Sequence, residues 1–268
     1  MQFEPVPPGA RIHLTNEAAG PPSEAPSKEA ALKHVDKLTA RLDQLQEALY
    51  AENRRAVLVV LQGRDTSGKD GTIRKVFGPL NPQGLVVTSF KAPTPVELAH
   101  DYLWRVHQAI PPKGNIGIFN RSHYEDVLAV RVHELVPEGV WRPRYEQINL
   151  FERLLTENGV TVLKFFLHIS RKEQLERLQE RLQDPTKYWK FSPGDLGERD
   201  RWDAYTAAYE EALERTSTKA APWWVVPADK KYVRDLLVAQ VVTETLEQMD
   251  PKYPGLPEGL EELRRKLS

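Results

Sequence analysis

A glycine-rich run between two apolar stretches holds the residues best suited to chemistry in this sequence. Residues 63–71 read GRDTSGKDG, so a second glycine follows the first after four residues and a lysine comes next. At a strand-to-helix turn such a loop points backbone amides inward, and its lysine reaches the outer phosphates of a ligand. The run therefore predicts a phosphate-binding loop rather than a plain glycine-rich turn. Its predicted phosphate contacts are Gly63, Arg64, Thr66, Ser67, Gly68, Lys69, Asp70 and Gly71.

Two aspartates distinguish this loop from the usual pattern. Asp70 stands where such loops carry a Ser or Thr whose hydroxyl binds magnesium. Asp65, inside the loop, would repel phosphates unless a cation lay between them, so we predict that Asp65 binds Mg²⁺ directly or through water. The alternative is that Asp65 only hydrogen-bonds the loop or caps the helix.

A second polar cluster follows the third apolar run. Ligands in open α/β sheets lie beyond the carboxyl ends of the strands, so Asn120 and Arg121 should project beside the phosphate loop. Arg121 can hold an anion through two hydrogen bonds and stabilise charge on a transferring phosphoryl group, and its alternative role is a salt bridge that fixes the loop. The predicted nucleotide contacts are Asn120, Arg121, Glu125, Asp126, Arg131 and His133.

A basic segment follows the fourth apolar run. Arg177 and Arg181 lie one helical turn apart on one face, and Lys187 and Lys190 follow on a connection expected to be mobile. This layout resembles the lid of nucleoside monophosphate kinases, which closes over phosphates and excludes water. The alternative is a solvated helix whose arginines pair with its own glutamates. Two further predicted phosphate contacts, on the first turns after the loop, are Arg74 and Lys75.

Apolar runs of strand length alternate with helical stretches along most of the chain. The runs are rich in Val, Ile, Phe and Trp and are apolar on successive residues, as expected of strands covered on both faces. They predict a three-layer α/β fold with a five-stranded parallel sheet. The predicted strands are 56–62, 85–90, 115–120, 160–169 and 223–226. The predicted helices are 96–109, 144–158, 172–183 and 233–249.

The N-terminal region divides into an arm and a helix. Residues 1–27 contain six prolines and little apolar periodicity, which predicts an irregular arm. Residues 28–53 carry an apolar stripe at helical spacing, which predicts an N-terminal helix docked on the core, with a subunit interface as the alternative. A homo-oligomer is expected. Residues 28–268 are predicted to form one domain, with a lid at about 171–200.

Composition excludes several classes of function. The chain has 268 residues, and 37 Lys+Arg against 38 Asp+Glu give a net charge of -1, which disfavours a nucleic-acid partner. The absence of cysteine excludes disulfides, thiolate metal sites and a cysteine nucleophile. No apolar run approaches the roughly 18 residues of a membrane span, so no membrane partner is expected. The expected compartment is the cytoplasm.

Three segments together resemble family 2 polyphosphate kinases, P-loop kinases that move phosphoryl groups between inorganic polyphosphate and nucleotides. They are residues 63–71, residues 119–127 (FNRSHYEDV) and residues 188–195 (YWKFSPGD). Asp70 is normal in that family. The resemblance implies a P-loop kinase fold with a helical lid, Mg²⁺ as cofactor, and polyphosphate, AMP, ADP and ATP as ligands. Asn120 with Glu125 and Asp126 is similar to the groups that accept AMP, which implies phosphorylation of AMP, ADP or both, reversibly.

Three functions compete on these residues. The leading hypothesis is a polyphosphate:nucleotide phosphotransferase, which needs positioning and charge neutralisation rather than a nucleophilic side chain. The rivals are an ATP-dependent nucleotide or small-molecule kinase and a non-catalytic nucleotide-sensing protein. The predicted catalytic residues are Asp65, Lys69, Asn120, Arg121, Arg177 and Arg181.

Overall fold

Five parallel strands form one sheet through the middle of the protein. They are β1 (Ala56–Gln62), β2 (Leu85–Ser89), β3 (Ile116–Asn120), β4 (Val160–His168) and β5 (Trp223–Pro227). A computed structural model describes residues 3–191, 194–256 and 259–267, and in it the strand order is β2-β3-β1-β4-β5. Every neighbouring pair is parallel, which confirms the predicted five-stranded parallel sheet.

The burial of each strand follows its place in the sheet. All seven residues of the central strand β1 are buried, as its uninterrupted apolar sequence predicts. The edge strand β2 has no fully buried residue, whereas β5 at the opposite edge has three. The prediction that every run is covered on both faces is therefore wrong for β2.

Helices cover both faces of the sheet and extend beyond its carboxyl edge. The described helices are α1 (Lys28–Glu52), α2 (Lys69–Thr72), α3 (Pro95–Leu98), α4 (Trp104–Gln108), α5 (Ala129–Val132), α6 (Glu138–Trp141), α7 (Arg144–Glu157), α8 (Arg171–Gln183), α9 (Gly194–Asp200), α10 (Trp202–Thr216), α11 (Lys231–Met249) and α12 (Leu260–Leu267). A wide π-helical turn, Ile73–Phe77, continues α2. None of these helices, within the described ranges, is long and apolar enough to cross a membrane.

Two hydrophobic cores lie on opposite faces of the sheet. Val57 and Val59 of β1 point into one core, which also contains apolar side chains of α1 and α11. Leu58 and Val60 point into the other, which contains apolar side chains of α7 and α10. Because successive side chains of a strand point to opposite faces, β1 contributes to both cores and fixes the three-layer arrangement. The stripe on α1 thus packs on α11 within the core.

The predicted single helix over residues 96–109 is wrong, because the chain forms two short helices there. α3 begins at a capping box. The Thr94 hydroxyl accepts a hydrogen bond from the Glu97 amide, and the Glu97 carboxylate accepts one from the Thr94 amide. The Asp101 carboxylate then accepts a hydrogen bond from the Leu103 amide at 2.9 Å. That local hydrogen bond competes with helical pairing, so α3 ends and α4 starts separately.

The N-terminal arm lies against the far edge of the sheet. Val6 donates its amide to the Trp223 carbonyl at 2.7 Å, and the Ser217 hydroxyl donates to the Val6 carbonyl at 2.6 Å. Farther along, the Asp229 amide donates to the Ala19 carbonyl at 3.1 Å. The described arm is therefore docked along β5 and the ends of its neighbours, in an irregular conformation.

Candidate active site

The glycine-rich loop leaves β1 at the carboxyl edge of the sheet and turns on Gly68. Gly68 has φ 102°, a left-handed conformation that costs glycine little and other residues much more. A Cβ atom at this position would also collide with the Arg234 guanidinium. The loop therefore requires glycine here both for its backbone conformation and for the close approach of an arginine.

Lys69 is buried inside the loop it follows. Its Nζ donates to the Gly63 carbonyl at 2.7 Å and to the Arg64 carbonyl at 3.2 Å. Burial, together with the nearby charge of Arg121, lowers the pKa of Lys69 to about 8. A phosphate placed beside this amine would favour its charged form and reverse that shift.

Two buried arginines hold the loop backbone from outside. Arg177 of α8 donates to the Thr66 carbonyl at 2.8 Å and to the Ser67 carbonyl at 3.3 Å. Arg234 of α11 donates to the same Ser67 carbonyl at 3.4 Å, and Asp235 pairs with it at 2.7 Å. The loop is thus fixed by two helices that begin at the ends of other strands.

The two loop aspartates are both held by cations of the segment that follows β4. Asp65 pairs with Arg181 of α8 at 2.7 Å. Asp70 accepts from the Asn120 amide at 2.7 Å and pairs with Lys190 at 3.2 Å. Burial opposes ionisation of Asp70, but these hydrogen bonds outweigh it and lower the pKa of Asp70. The predicted lid therefore contacts the loop through two carboxylates.

The turn after β3 brings Arg121 and Glu125 to the same edge. Arg121 has φ 61°, unusual for a residue with a Cβ, and its amide donates to the Leu61 carbonyl of β1 at 3.1 Å. Glu125 accepts from the Gln62 side-chain amide at 3.2 Å. β1 therefore holds this turn beside the glycine-rich loop.

A first cavity, about 300 Å³, lies between the loop, the turn after β3 and helices α9 and α10. It combines carboxylates with aromatic rings, which suits a molecule with a polar, planar part. His133, one of its lining residues, lies 2.7 Å from the Glu198 carboxylate of α9. The residues that line it are Gly63, Arg64, Asp65, Arg121, Glu125, Ala129, His133, Gln174, Gly194, Glu198, Tyr205 and Tyr209.

A second cavity, about 420 Å³, lies on the other side of Asp65. Eight of its lining residues are basic and three are acidic, a charge balance that favours a long polyanion. The basic residues are Lys69, Arg74, Arg177, Arg181, Lys187, Lys190, Lys231 and Arg234. The other residues that line it are Asp65, Thr66, Gly68, Asp70, Gly71 and Glu180.

Comparison with known proteins identifies the family of this chain. The sequence profile described as Polyphosphate kinase 2 (PPK2) matches residues 25–254. The chain belongs to the polyphosphate kinase 2 family. It is therefore an enzyme, a phosphotransferase, and the predicted family assignment is confirmed.

Individual members of the polyphosphate kinase 2 family are similar over most of their length. A protein of Meiothermus ruber named AMP/ADP-polyphosphate phosphotransferase is 58% identical over 227 residues, which cover 85% of each chain. An ADP-polyphosphate phosphotransferase of Rhodopseudomonas palustris is 49% identical over 80% of this chain and 78% of its own. The crystal structure of polyphosphate kinase 2 from Arthrobacter aurescens TC1 superposes with a TM-score of 0.89 at 40% identity, covering 98% of both chains.

Five residues predicted to contact ligands line neither cavity of this family member. Ser67 is buried within the loop, and Asn120 donates its side-chain amide to Asp70. The other three pair with residues of neighbouring elements. Asp126 pairs with Arg144 at 3.2 Å, Arg131 pairs with Glu211 at 2.7 Å, and Lys75 pairs with Asp36 at 2.8 Å. The side chain of each points toward its partner on a neighbouring element rather than toward the glycine-rich loop. The structure therefore assigns Asp126, Arg131 and Lys75 to contacts between elements.

Arg64 and Arg177 line the cavities, but the protein itself uses much of their hydrogen-bonding capacity. The Arg64 guanidinium stacks on Trp202, 3.8 Å from the ring centroid, and donates to the Thr206 hydroxyl. Burial lowers the pKa of Arg64 to about 10. Arg177 also binds the Ala228 and Asp229 carbonyls and Glu173. Both arginines therefore support the loop, and the role of Arg177 in offsetting charge on the phosphoryl group stays a prediction.

Sequence patterns did not indicate Lys231 and Arg234 of the second cavity, or Glu198, Tyr205 and Tyr209 of the first. Lys231 begins α11 just after β5, so the rule that ligands lie beyond the carboxyl ends of strands could have found it. The residues of α9 and α10 follow the lid and carry no comparable positional signal. Of the lid motif, Ser192 and Pro193 and the side chain of Asp195 lie outside the described residues.

The carboxylates at the loop suit a magnesium ion held mainly by substrate. Among the described residues, no three His, Asp or Glu side chains form a cluster that could hold a metal. Mg²⁺ in phosphoryl-transfer enzymes is usually bound by one or two carboxylates and completed by phosphates and water. Asp65, which lines both cavities, offers such a carboxylate.

Proposed function

We propose that this protein transfers the terminal phosphoryl group of inorganic polyphosphate to AMP and ADP. The observation that carries the proposal is the pair of cavities that meet at Asp65, one aromatic and acidic, the other strongly basic. A transfer between two phosphate compounds needs both ligands to approach one point from opposite sides. The names of the relatives from Meiothermus ruber and Rhodopseudomonas palustris support the same reaction and acceptors.

The first cavity is the proposed site of the nucleotide. Tyr205 and Tyr209 offer apolar ring surface to the nucleoside, and Arg121 offers a cation to its phosphates. Glu125 and Glu198 would repel a highly charged polyanion, so they favour the nucleotide over polyphosphate here.

The second cavity is the proposed site of polyphosphate. Lys69 lies at its inner end, where the loop begins α2, and holds the phosphoryl group that moves. Arg74, Lys187, Lys190 and Lys231 add further positive charge to the lining of this cavity, which favours a long polyanion.

The proposed reaction exchanges one phosphoanhydride bond for another. An oxygen of the nucleotide's terminal phosphate attacks the end phosphorus of polyphosphate and forms a new P–O bond. The P–O bond to the next phosphate of the chain breaks, and its electron pair leaves with the shortened polyphosphate. Because bonds of the same kind form and break, the reaction is reversible, and AMP can proceed through ADP to ATP.

The residues of this chain supply positioning and charge in that reaction. Lys69 and the loop amides hold the phosphoryl group, and Arg121 offsets charge that develops on its oxygens. Arg181, paired with Asp65, brings α8 against the loop and so limits access of water. Mg²⁺, which we propose that Asp65 binds, would neutralise charge shared by the two substrates.

Donor choice and metal dependence test the proposal together. The protein is incubated with AMP or ADP and Mg²⁺, with polyphosphate in one series and ATP or GTP in another, and products are separated by chromatography. We expect ADP and ATP to form with polyphosphate, and their formation to stop when a chelator removes Mg²⁺. Product from the nucleotide donor alone would support an ordinary kinase, and binding without transfer from any donor would support a sensor.

A metal-site variant and its control complete the test. Asp65→Asn should raise the Mg²⁺ concentration needed for half-maximal rate about tenfold. Asp126→Asn, whose side chain pairs with Arg144, should leave that concentration unchanged. Equal Mg²⁺ dependence in the parent and Asp65→Asn would move the metal role to Asp70 or Glu125. A cytoplasmic location and self-association stay predictions, and the second is measured by sedimentation.

A further inference from the structure

A lysine is buried in the middle of β4, within the sheet itself. Lys164 has no exposed surface. Its Nζ lies 2.6 Å from the Glu152 carboxylate of α7 and donates to the Tyr124 hydroxyl at 2.8 Å and to the Thr216 carbonyl at 2.7 Å. Four segments of the chain therefore meet at one amine: β4, α7, the turn after β3 and the end of α10.

Glu152 is equally enclosed by the same group of residues. One of its oxygens accepts from the Tyr124 hydroxyl at 2.8 Å and lies 3.3 Å from His123 Nε2. Burial opposes its ionisation, but Lys164 and His123 outweigh that effect and lower the pKa of Glu152. We call Lys164, Glu152, His123 and Tyr124 the buried ionic cluster.

Hydrophobic packing does not need this cluster. Replacing a buried ion pair by apolar residues of similar volume is often neutral or stabilising, so such a pair is weak evidence of a role in stability. None of the four residues lines either cavity described above, so direct contact with substrate is not their role. The cluster instead holds a short segment of the chain in place.

That segment is the turn which carries Arg121 and Glu125 to the first cavity. His123 and Tyr124 lie between those two residues and have no exposed surface. Arg121 is held with φ 61°, and a non-glycine residue keeps such a conformation only when its surroundings enforce it. Anchoring His123 and Tyr124 in the core is one way to enforce the conformation of Arg121.

We propose that Lys164, Glu152 and Tyr124 are positioning residues, which fix the turn after β3 so that Arg121 and Glu125 face the nucleotide. The inference rests on the proposed function, since it assigns the first cavity to the acceptor. Loss of the cluster would let the turn relax and move Arg121, while the second cavity, built from α2, α8 and α11, would stay as it is. The effect should therefore fall on the acceptor and on kcat, and spare polyphosphate.

Two variants separate positioning from stability. Tyr124→Phe keeps the ring and leaves Lys164 paired with Glu152 and the Thr216 carbonyl, so the protein should fold. The double variant Lys164→Met/Glu152→Leu removes both charges together, so neither is left buried without its partner. It also takes partners from the Tyr124 hydroxyl, the Thr216 carbonyl and His123, so we expect it to fold with a lower Tm than the parent. Gln46→Leu is the control, because Gln46 is buried in the other core and bonds only Asn81 among the contacts described.

We expect a split between the two substrates. ADP binding, measured by calorimetry without any turnover, should weaken about fivefold or more in the double variant and about threefold in Tyr124→Phe. In the double variant kcat with polyphosphate should fall about tenfold, while KM for polyphosphate stays within about twofold. In Gln46→Leu, ADP affinity, kcat and KM should match the parent even if its Tm falls.

Three results would overturn the inference. One is ADP affinity and kcat within about twofold of the parent in both variants, and another is a change in KM for polyphosphate equal to that for ADP. If the double variant fails to fold, parental values in Tyr124→Phe decide against the proposal by themselves. If the parent protein binds ADP but does not use polyphosphate, the proposed function is contradicted instead. The ADP affinities of the variants would then still test the positioning role.

Discussion

Lys69 carries an amine whose charge depends on what lies beside it. Its surroundings in the loop are two carbonyl oxygens and little solvent, and burial with the charge of Arg121 lowers its pKa to about 8. Below that pH the amine is protonated and attracts phosphate, and above it the charge is lost. A bound polyanion raises the pKa again, so binding near pH 8.5 takes up a proton.

The affinity for polyphosphate should therefore weaken as the pH rises through 8. We expect KM for polyphosphate to rise about threefold to tenfold between roughly pH 7.5 and 9, because each site that loses its proton loses an ionic contact. Steady-state kinetics at saturating ADP and Mg²⁺ measure it.

The control is Lys69→Arg, which stays charged over this range. Its KM for polyphosphate, whatever its absolute value, should change little with pH. If the parent and Lys69→Arg show the same pH profile, the dependence arises from the substrates or another group, and Lys69 is charged in the complex throughout.

Helix α8 carries two arginines one turn apart that differ in role. Arg177 is buried and donates to four main-chain carbonyls of two loops and to Glu173. The Arg181 side chain is more exposed, at 17% against 7% for Arg177, and pairs with Asp65. The first should support the fold of the glycine-rich loop and the second should act on the transferring group.

Replacing each arginine by methionine should separate these roles. Arg177→Met leaves buried carbonyls without donors, so we expect a loss of about 3 kcal/mol and a fall in Tm of roughly 6 to 12 °C, with loss of activity. Arg181→Met removes a partly exposed pair worth about 0–1 kcal/mol, so its Tm should stay within a few degrees while kcat falls about tenfold. Calorimetry and kinetics check both, and an unchanged Tm in Arg177→Met would contradict the supporting role.

The sequence predicts that these two arginines share a helix face, but it does not predict their different partners. The i and i+4 spacing places both on one face of a helix, but their partners are distant in sequence. Arg177 contacts carbonyls 51 and 52 residues later, after β5, and Arg181 pairs with Asp65, 116 residues earlier. The same holds for the helix predicted over 96–109, where a single Asp101 hydrogen bond overrides propensity. The strands and the glycine-rich loop were predictable because local pattern alone determines them. Lys164 was not, since its partners lie on three other elements.

The charge of the whole chain hides a strong separation of charge within it. The net charge is -1, yet the second cavity has eight basic residues against three acidic ones. A polyanion therefore meets a local positive potential that the overall composition does not reveal. Such binding releases counterions, which makes it weaken steeply with salt.

We expect KM for polyphosphate to rise about tenfold or more between roughly 50 and 200 mM KCl, and KM for AMP to change far less. Lys231→Ala, which removes one lining cation, should make that salt dependence shallower. Lys75→Ala is the matched control, because Lys75 pairs with Asp36 on α1 and lies outside the cavity. Equal salt dependence in Lys231→Ala and the parent would show that polyphosphate does not run past the start of α11.

The docked arm has a consequence for how the protein is made. Val6 bonds the Ser217 hydroxyl and the Trp223 backbone, Ala19 bonds the Asp229 backbone, and α1 packs on α11. The arm and α1 therefore depend on partners synthesised about 200 residues later. During synthesis on the ribosome, the hydrogen-bonding groups and apolar surface of this N-terminal region stay without these partners until β5 and α11 emerge. The apolar stripe of α1 stays uncovered during that interval, and exposed apolar surface of this kind favours aggregation. Slowing translation near residues 210–250 should therefore aggravate aggregation more than slowing it elsewhere.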